Sequence, residues 1–481
     1  MNEIEEREAL QKLSSGVDGL DELLRGGLPE NRVTMVAGSS GTGKTLFALQ
    51  AACHWAHAGK RVVFVSTEEA EEDLLATGEL LGFRSRQARA EGSLTIVDIS
   101  TPAPGSIMVT GDFDVRALEK RLEQLTEKHQ ADVLVLDSAS ALFAHIPPGP
   151  TTRRDLIRLL HALRSKPLTM LVTTETTGRA REDFGPLGFE QYVCDVVIAL
   201  RNVVDGKRRR RTIEVHKYRR SDHLKGEFPA AVTDRGLSVY PLDARPRPAR
   251  AKAQPERFPS GATGLDELTG GGWLRDNIVI VRGPTGSGKT TLAGMYALSG
   301  ARRGERVFYY GFEETQDILV RNFEQLGLDA HQCIEEGSLK IICRYPEATS
   351  PEDLVIELRS VLEEYEPSLI VLDSISAIDH VTSFESFRQF IIGMVSALRR
   401  HGRSALLTQT VDRDEQDRAA PYLSTIADAI LVLRYELEDT GLDRSMRVLK
   451  MRGSDHETRP QPFRIGPGGV IIEGDRDFEP T

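Results

Sequence analysis

The sequence has little of what would place it in several large classes of protein. Its four cysteines, Cys53, Cys194, Cys333 and Cys343, include no C-x-x-C pair. This argues against a structural zinc finger and against a disulfide framework, and predicts buried thiols. No apolar run approaches the roughly 18 residues of a membrane span. The opening residues, MNEIEEREALQK, are acidic and polar, whereas a secretory leader is basic and then apolar. A cytoplasmic protein with no membrane partner is expected. Net positive charge is absent as well: 61 Lys and Arg stand against 72 Asp and Glu, a net charge of −11. Nucleic acid would have to be held by a local basic patch, not by the field of the whole molecule. The 42 glycines and 23 prolines among 481 residues are too few for a low-complexity or collagen-like chain. A globular protein remains, long enough for two or three domains at about 150 residues each.

What is present is one unit written twice. SGVDGLDELLRGGLPENRVTMVAGSSGTGKT near the start returns as SGATGLDELTGGGWLRDNIVIVRGPTGSGKT. Gly16 and Gly261, Lys44 and Lys289, and Glu68 and Glu313 all share an offset of 245 residues. Further on the offset shortens, to 236 between Asp137 and Asp373 and 233 between Lys217 and Lys450. Duplicated domains that differ by loop insertions behave this way, and the period is too long for a solenoid. PLDARPRPARAKAQPERFP, rich in Pro, Arg and Ala and without apolar periodicity, reads as an extended linker. Domains over 1–245 and 258–481 are expected, joined by a linker over 246–257. In the first copy the short apolar runs VTMVA, RVVFVS, DVLVLDS, TMLVTT and CDVVIAL alternate with amphipathic stretches such as RRDLIRLLHALRS. That alternation predicts an α/β fold in each half, a mostly parallel sheet flanked by helices. Ligands of such sheets sit at the carboxyl ends of the strands.

The motifs fall at those ends. G-x-x-x-x-G-K-T occurs as Gly38-Ser39-Ser40-Gly41-Thr42-Gly43-Lys44-Thr45 and as Gly283-Pro284-Thr285-Gly286-Ser287-Gly288-Lys289-Thr290. Each match follows a β-rich run and precedes a helical pattern, the context a phosphate-binding loop requires. Backbone N–H groups turn inward on the phosphates of ATP, Lys44 and Lys289 reach the β and γ oxygens, and the Thr45 and Thr290 hydroxyls hold Mg²⁺. Asp137 and Asp373 end the strands of LVLDS and IVLDS, from which a carboxylate reaches the Mg²⁺ shell through water. A strand-ending Asp that only caps the next helix is the alternative. Glu68-Glu69 and Glu313-Glu314 end the strand after the loop helix, where a carboxylate can orient and deprotonate an attacking water. Adjacent strand residues face opposite ways, so unequal roles within each pair are expected. Lys217 with Arg219 and Lys450 with Arg452 form a repeated Lys-x-Arg after a strand-like run. Such cations can complete a neighbour's ATP site in a ring of subunits, or simply line an exposed strand edge.

Taken together, the two loops, the paired glutamates, LDS, RNVVDGKRRRRTIEVHKYRRSDHLKGEFP and STIADAILVLRY with LKMRGSDH resemble the KaiC family over nearly the whole chain. The resemblance implies two tandem RecA-like P-loop NTPase domains and a double-ring homohexamer with ATP at the subunit interfaces. It further implies slow ATP hydrolysis in the first ring and serine/threonine autokinase and autophosphatase activity in the second. The matching acceptor pair is Ser424-Thr425, with Glu313 as the base that takes the hydroxyl proton. The local offset of 233 sets that pair opposite Gln191-Tyr192, so the Ser-Thr pair belongs to the second half alone. Ala419 stands where clock members carry a third hydroxyl, and His380 where they carry an arginine. The chain ends about thirty residues after Arg452, short of the long tail through which KaiA acts in the family, so KaiA dependence is not expected. A KaiB-like protein remains a candidate partner of the first ring.

Two rival functions have their own signatures. A DNA-dependent recombinase or helicase would use the run Lys207-Arg208-Arg209-Arg210-Arg211, but the run has few aromatics around it and reads as a hairpin at a subunit interface. An ATP-gated scaffold that transfers no phosphate to itself is the other, and Ser424-Thr425 is the feature that discriminates it.

Overall fold

The computed structural model describes residues 10–99, 115–142, 167–176, 193–205, 208–240, 256–347, 349–412, 421–438 and 441–472. The chain divides into two compact units, Met1–Pro241 and Leu242–Thr481. Of the expected linker, residues up to 255 lie outside the described residues. Arg257 already pairs with Leu274 in a short antiparallel ribbon.

In the first unit the sheet is built from β1 (Val33–Gly38), β2 (Val62–Ser66), β3 (Leu94–Asp98), β4 (Val133–Asp137), β5 (Thr169–Glu175), β6 (Val196–Asp205), β7 (Arg208–Tyr218), β8 (Glu227–Thr233) and β9 (Gly236–Val239). Its helices include α1 (Lys44–His57), α2 (Glu71–Leu80) and α3 (Val115–Lys128). Strand order is β3-β2-β4-β5-β1-β6-β7-β8-β9. The first six run parallel and the last three close the sheet by antiparallel pairing.

The second unit repeats this order strand for strand. It comprises β10 (Ile278–Gly283), β11 (Val307–Gly311), β12 (Leu339–Cys343), β13 (Leu369–Asp373), β14 (Ser404–Thr410), β15 (Ala429–Glu438), β16 (Gly441–Met451), β17 (Gln461–Gly466) and β18 (Gly469–Ile472). The order is β12-β11-β13-β14-β10-β15-β16-β17-β18. Described helices include α4 (Lys289–Arg302), α5 (Gln316–Gln325), α6 (Pro351–Glu364), α7 (Phe384–Arg400) and α8 (Pro421–Ile426). Each unit is therefore the tandem α/β architecture expected. The helix expected over RRDLIRLLHALRS lies outside the described residues.

The strands read as unbroken apolar runs because both faces of the sheet are covered. On one face Phe47, Leu49 and Trp55 of α1 pack with Val36, Phe64, Leu171 and Ile198. On the other, Leu122 of α3 packs with Met35, Val63, Leu134 and Met170. A fully buried ring such as Phe64 contributes about 2–3 kcal/mol by burial alone. Helix starts follow local chemistry: Ser350 accepts from the Asp353 amide while Asp353 accepts from the Ser350 amide, a capping box that fixes the first turn of α6. Cys53, Cys194 and Cys333 are buried, as expected, whereas Cys343 is only half-buried. Among the described residues no helix is long and apolar enough to cross a membrane.

Candidate functional site

Both glycine-rich loops connect the central parallel strand to a long buried helix, β1 to α1 and β10 to α4. Gly43 and Gly288 sit at the helix N-termini with φ of 101° and 100°, a region L side chains avoid. Gly38 and Gly283 answer a different demand. A Cβ on Gly283 would lie 2.7 Å from the Leu433 carbonyl oxygen and 2.7 Å from Ser287 Oγ, and Gly38 is crowded in the same way by Leu200 and Thr42. The chain thus turns tightly enough for the amides that open α1 and α4 to face one point, the arrangement that binds phosphate.

The two lysines point back over their own loops. Lys44 Nζ donates to the Ser39 carbonyl at 3.1 Å and lies 3.9 Å from Glu175, and Lys289 Nζ donates to the Pro284 carbonyl at 2.9 Å. Burial pushes the Lys289 ammonium below its ordinary value, against the attraction of Asp373 and Glu313. Asp137 and Asp373 end β4 and β13 and are buried. Burial pushes both carboxyls up, and hydrogen bonds oppose it: from Thr173 and Thr45 to Asp137, and from Thr408, Tyr309 and Thr290 to Asp373. Each loop threonine is therefore joined to the strand-end carboxylate. A hydroxyl and a carboxylate so joined fit a hard cation such as Mg²⁺, which takes oxygen ligands and keeps several waters.

The glutamate pairs stand slightly beyond where the pattern put them. β2 ends at Ser66 and β11 at Gly311, so both pairs lie in the loop that leads to the next helix, and strand alternation does not set their orientation. The pairs are unequal for another reason. Ser138 Oγ donates to Glu68 Oε1 at 2.8 Å, and Ser374 Oγ donates to Glu313 Oε1 at 2.5 Å. The first glutamate of each pair is thereby tied to the residue after the strand-end aspartate. Glu69 and Glu314 are more buried, and desolvation, then Asp137 or Asp373, pushes their carboxyls up. Glu314 also accepts from Asn322 Nδ2 at 3.2 Å.

The Lys-x-Arg elements go elsewhere. Lys217 and Lys450 lie within β7 and β16, with Arg219 and Arg452 just past the strand ends. Lys217 Nζ donates to the Cys194 carbonyl at 2.8 Å, and the Arg219 amide to the Asp195 carbonyl at 2.9 Å. In the second unit the cations gather on α8, which carries Ser424 and Thr425. Lys450 Nζ donates to the Ser424 carbonyl at 2.6 Å and the Ala427 carbonyl at 2.8 Å. Arg452 donates to the Thr425 carbonyl at 3.2 Å and Arg399 to the Ile426 carbonyl at 2.6 Å. Four carbonyls that a helix end leaves without intrahelical partners are all met by positive charge. Asp428 sits between the two guanidinium groups, 3.4 Å from Arg399 and 3.6 Å from Arg452. Burial, then Arg452, pushes the Lys450 ammonium down. Thr425 is exposed and Ser424 half-buried. The structure brings loop, aspartate and glutamates together in each unit, and within one chain it places Lys-x-Arg apart from them.

Sequence reasoning missed the threonines on β5 and β14 and the serines that hold Glu68 and Glu313. The repeat carried a signal for both, because Thr173 with Thr408 and Ser138 with Ser374 recur at nearly the local offset. Arg399 had none. Gln191, Tyr192, Lys207 and Ala419 lie outside the described residues, as do the side chains of Arg208 and Arg209. β6 and β7 do form the antiparallel hairpin expected around the basic run.

Two RecA-like α/β units in tandem, each with a glycine loop, a buried strand-end aspartate and a glutamate held beside it, define a phosphate-loop ATPase. A family model described as "ATPase: KaiC" matches residues 13–244 and again 258–477. The chain is 36% identical over 477 residues to the circadian clock oscillator protein KaiC of Picosynechococcus sp., covering 98% of this chain and 91% of that relative. It is 37% identical over 475 residues to the circadian clock protein KaiC3 of Synechocystis sp., covering 97% and 93%. With the KaiC of Acaryochloris marina the identity is 36% over 469 residues, covering 96% and 88%. The chain belongs to the KaiC family.

Proposed function

We propose that this protein is an ATP hydrolase and serine/threonine autokinase and autophosphatase that ATP assembles into a double-ring homohexamer, with 1–245 forming the first ring and 258–481 the second. The observation that carries this reading is the convergence of Lys450 and Arg452 on the backbone of Ser424, Thr425 and Ala427. The residues that would complete a neighbour's ATP site are the ones that hold the acceptor segment. ATP then lies between the loop of one subunit and the Lys-x-Arg of the next, Lys217 and Arg219 in the first ring and Lys450 and Arg452 in the second. A ligand that binds only the ring stabilises the ring. An ammonium has three protons, and two on Lys450 serve α8, which leaves one for a phosphate oxygen.

Phosphoryl transfer is mainly positioning and charge neutralisation. Mg²⁺, held by Thr45 with Asp137 and by Thr290 with Asp373, supplies part of that neutralisation when bound. Lys289 covers the β and γ oxygens. Glu313, fixed by Ser374, takes the proton of the Ser424 or Thr425 hydroxyl. The hydroxyl oxygen bonds to the γ phosphorus as the bridging bond to the β-phosphate breaks, and ADP leaves. In the first ring Glu68, fixed by Ser138, orients water instead, because Gln191-Tyr192 stands at the acceptor position. A circadian or other timing or stress-signalling role, in the cytoplasm and with a KaiB-like partner on the first ring, completes the reading. The test is incubation with Mg²⁺ and γ-labelled ATP and no added kinase. Label is expected on Ser424 and Thr425 and is lost in the Ser424→Ala, Thr425→Ala double variant, while ATP hydrolysis persists. Equal labelling of that variant refutes the kinase and leaves an ATP-gated scaffold.

A further inference from the structure

The duplication provides an internal control for one buried hydroxyl that none of these roles uses. Tyr309, third residue of β11, stands in register with Phe64, third residue of β2. Each pairs with the equivalent residue of the aspartate strand, Tyr309 with Val371 and Phe64 with Val135. Both rings are fully buried. The Tyr309 hydroxyl donates to Asp373 Oδ2 at 2.6 Å, while Thr408 Oγ1 donates to Oδ1. In the first unit Thr173 makes the matching bond to Asp137 Oδ1, and Phe64 has no hydroxyl to add. The two strand-end carboxylates thus differ by one phenol, in sites otherwise built alike.

Each carboxylate also accepts from its loop threonine, Thr45 or Thr290. Beyond that shared bond Asp373 is held at both oxygens by Thr408 and Tyr309 and cannot swing about its terminal torsion, whereas Asp137 has Thr173 alone and keeps more of that freedom. Outer partners of this kind orient the groups that meet a metal and typically alter metal affinity by about 10- to 100-fold. We propose that Tyr309 is a positioning residue that fixes Asp373 for the divalent cation of the second nucleotide site, a device the first site lacks. This rests on the reading that both loops hold a metal–nucleotide complex. Because Asp373 would reach the cation through water, the low end of that range, about 10-fold, is the expected effect.

The probe is Mn²⁺, counted by electron paramagnetic resonance on the full-length protein saturated with ADP, so that no turnover enters the measurement. Wild type should bind Mn²⁺ at two sites per chain. Tyr309→Phe should weaken one class about tenfold and leave the other unchanged. Phe64→Tyr should tighten the class that Tyr309→Phe leaves alone. A Tyr309→Phe isotherm that superimposes on wild type overturns the inference. If Tyr309→Phe does not fold, as judged by melting without nucleotide, an unchanged Phe64→Tyr isotherm overturns it and a tightened one upholds it. A wild-type protein with no ADP-dependent Mn²⁺ sites would instead remove the underlying reading, and the inference with it.

Discussion

Replacing Lys450 by Met keeps the aliphatic stem and removes the ammonium from the end of α8. Two hydrogen bonds are lost, at 2.6 Å to the Ser424 carbonyl and 2.8 Å to the Ala427 carbonyl. A bond from a charged donor is worth about 1.5–3 kcal/mol in a buried setting. Lys450 is only half-buried and water takes over part of each role, so roughly 1 kcal/mol per bond is the better figure. Arg452 and Arg399 still hold the Thr425 and Ile426 carbonyls, so α8 should loosen without melting. About 2 kcal/mol corresponds to a roughly 30-fold larger opening constant. Hydrogen exchange reads this directly at the Ala427 amide, which donates to the Leu423 carbonyl at 3.0 Å. In the absence of nucleotide that amide should exchange about 30-fold faster in the variant, while the amides of α4 are unchanged. On the proposed kinase reading, label on Ser424 and Thr425 should fall as α8 loses its fixed position. Unchanged exchange over 423–427 would refute the argument that Lys450 anchors α8.

Gly283→Ala puts a Cβ 2.7 Å from both the Leu433 carbonyl oxygen and Ser287 Oγ; a loss of about 1–3 kcal/mol is expected, with a smaller rise of the melting temperature on adding ATP, and an unaltered melt with and without ATP would contradict the close-packing argument. Burial works to raise the Glu305 carboxyl, but hydrogen bonds from Arg275 and Ser368 outweigh it and hold the group below its ordinary value. A group lowered in this way stabilises the fold above the ordinary carboxylate range and loses that contribution as pH falls through its lowered value. Glu305→Gln should therefore cost about 1–2 kcal/mol at pH 7, with the gap to wild type closing below about pH 4; denaturant melts showing the same gap at both pH values would falsify the assignment.

The sequence alone determined the duplication, the two mostly parallel sheets and the place of both glycine loops between strand and helix. These are legible because they rest on local rules. A strand covered on both faces reads as a continuous apolar run, as VLVL and LIVL do before their closing aspartates, and a loop that enters its helix through a left-handed residue, as at Gly43 and Gly288, favours glycine. The family likeness was legible for the same reason, since runs such as LKMRGSDH stay contiguous in the chain. Tertiary structure alone decided what holds each polar group. Ser138 meets Glu68 across 70 positions and Thr173 meets Asp137 across 36. Whether Tyr309 faces an aspartate or an apolar neighbour is likewise set by which strands lie side by side. The same applies to α8, where Arg399, Lys450 and Arg452 come from two distant elements to meet four carbonyls of one short helix. Periodicity reports which face of an element is buried, but a hydrogen bond needs a partner within about 3 Å, and only the folded chain fixes that distance.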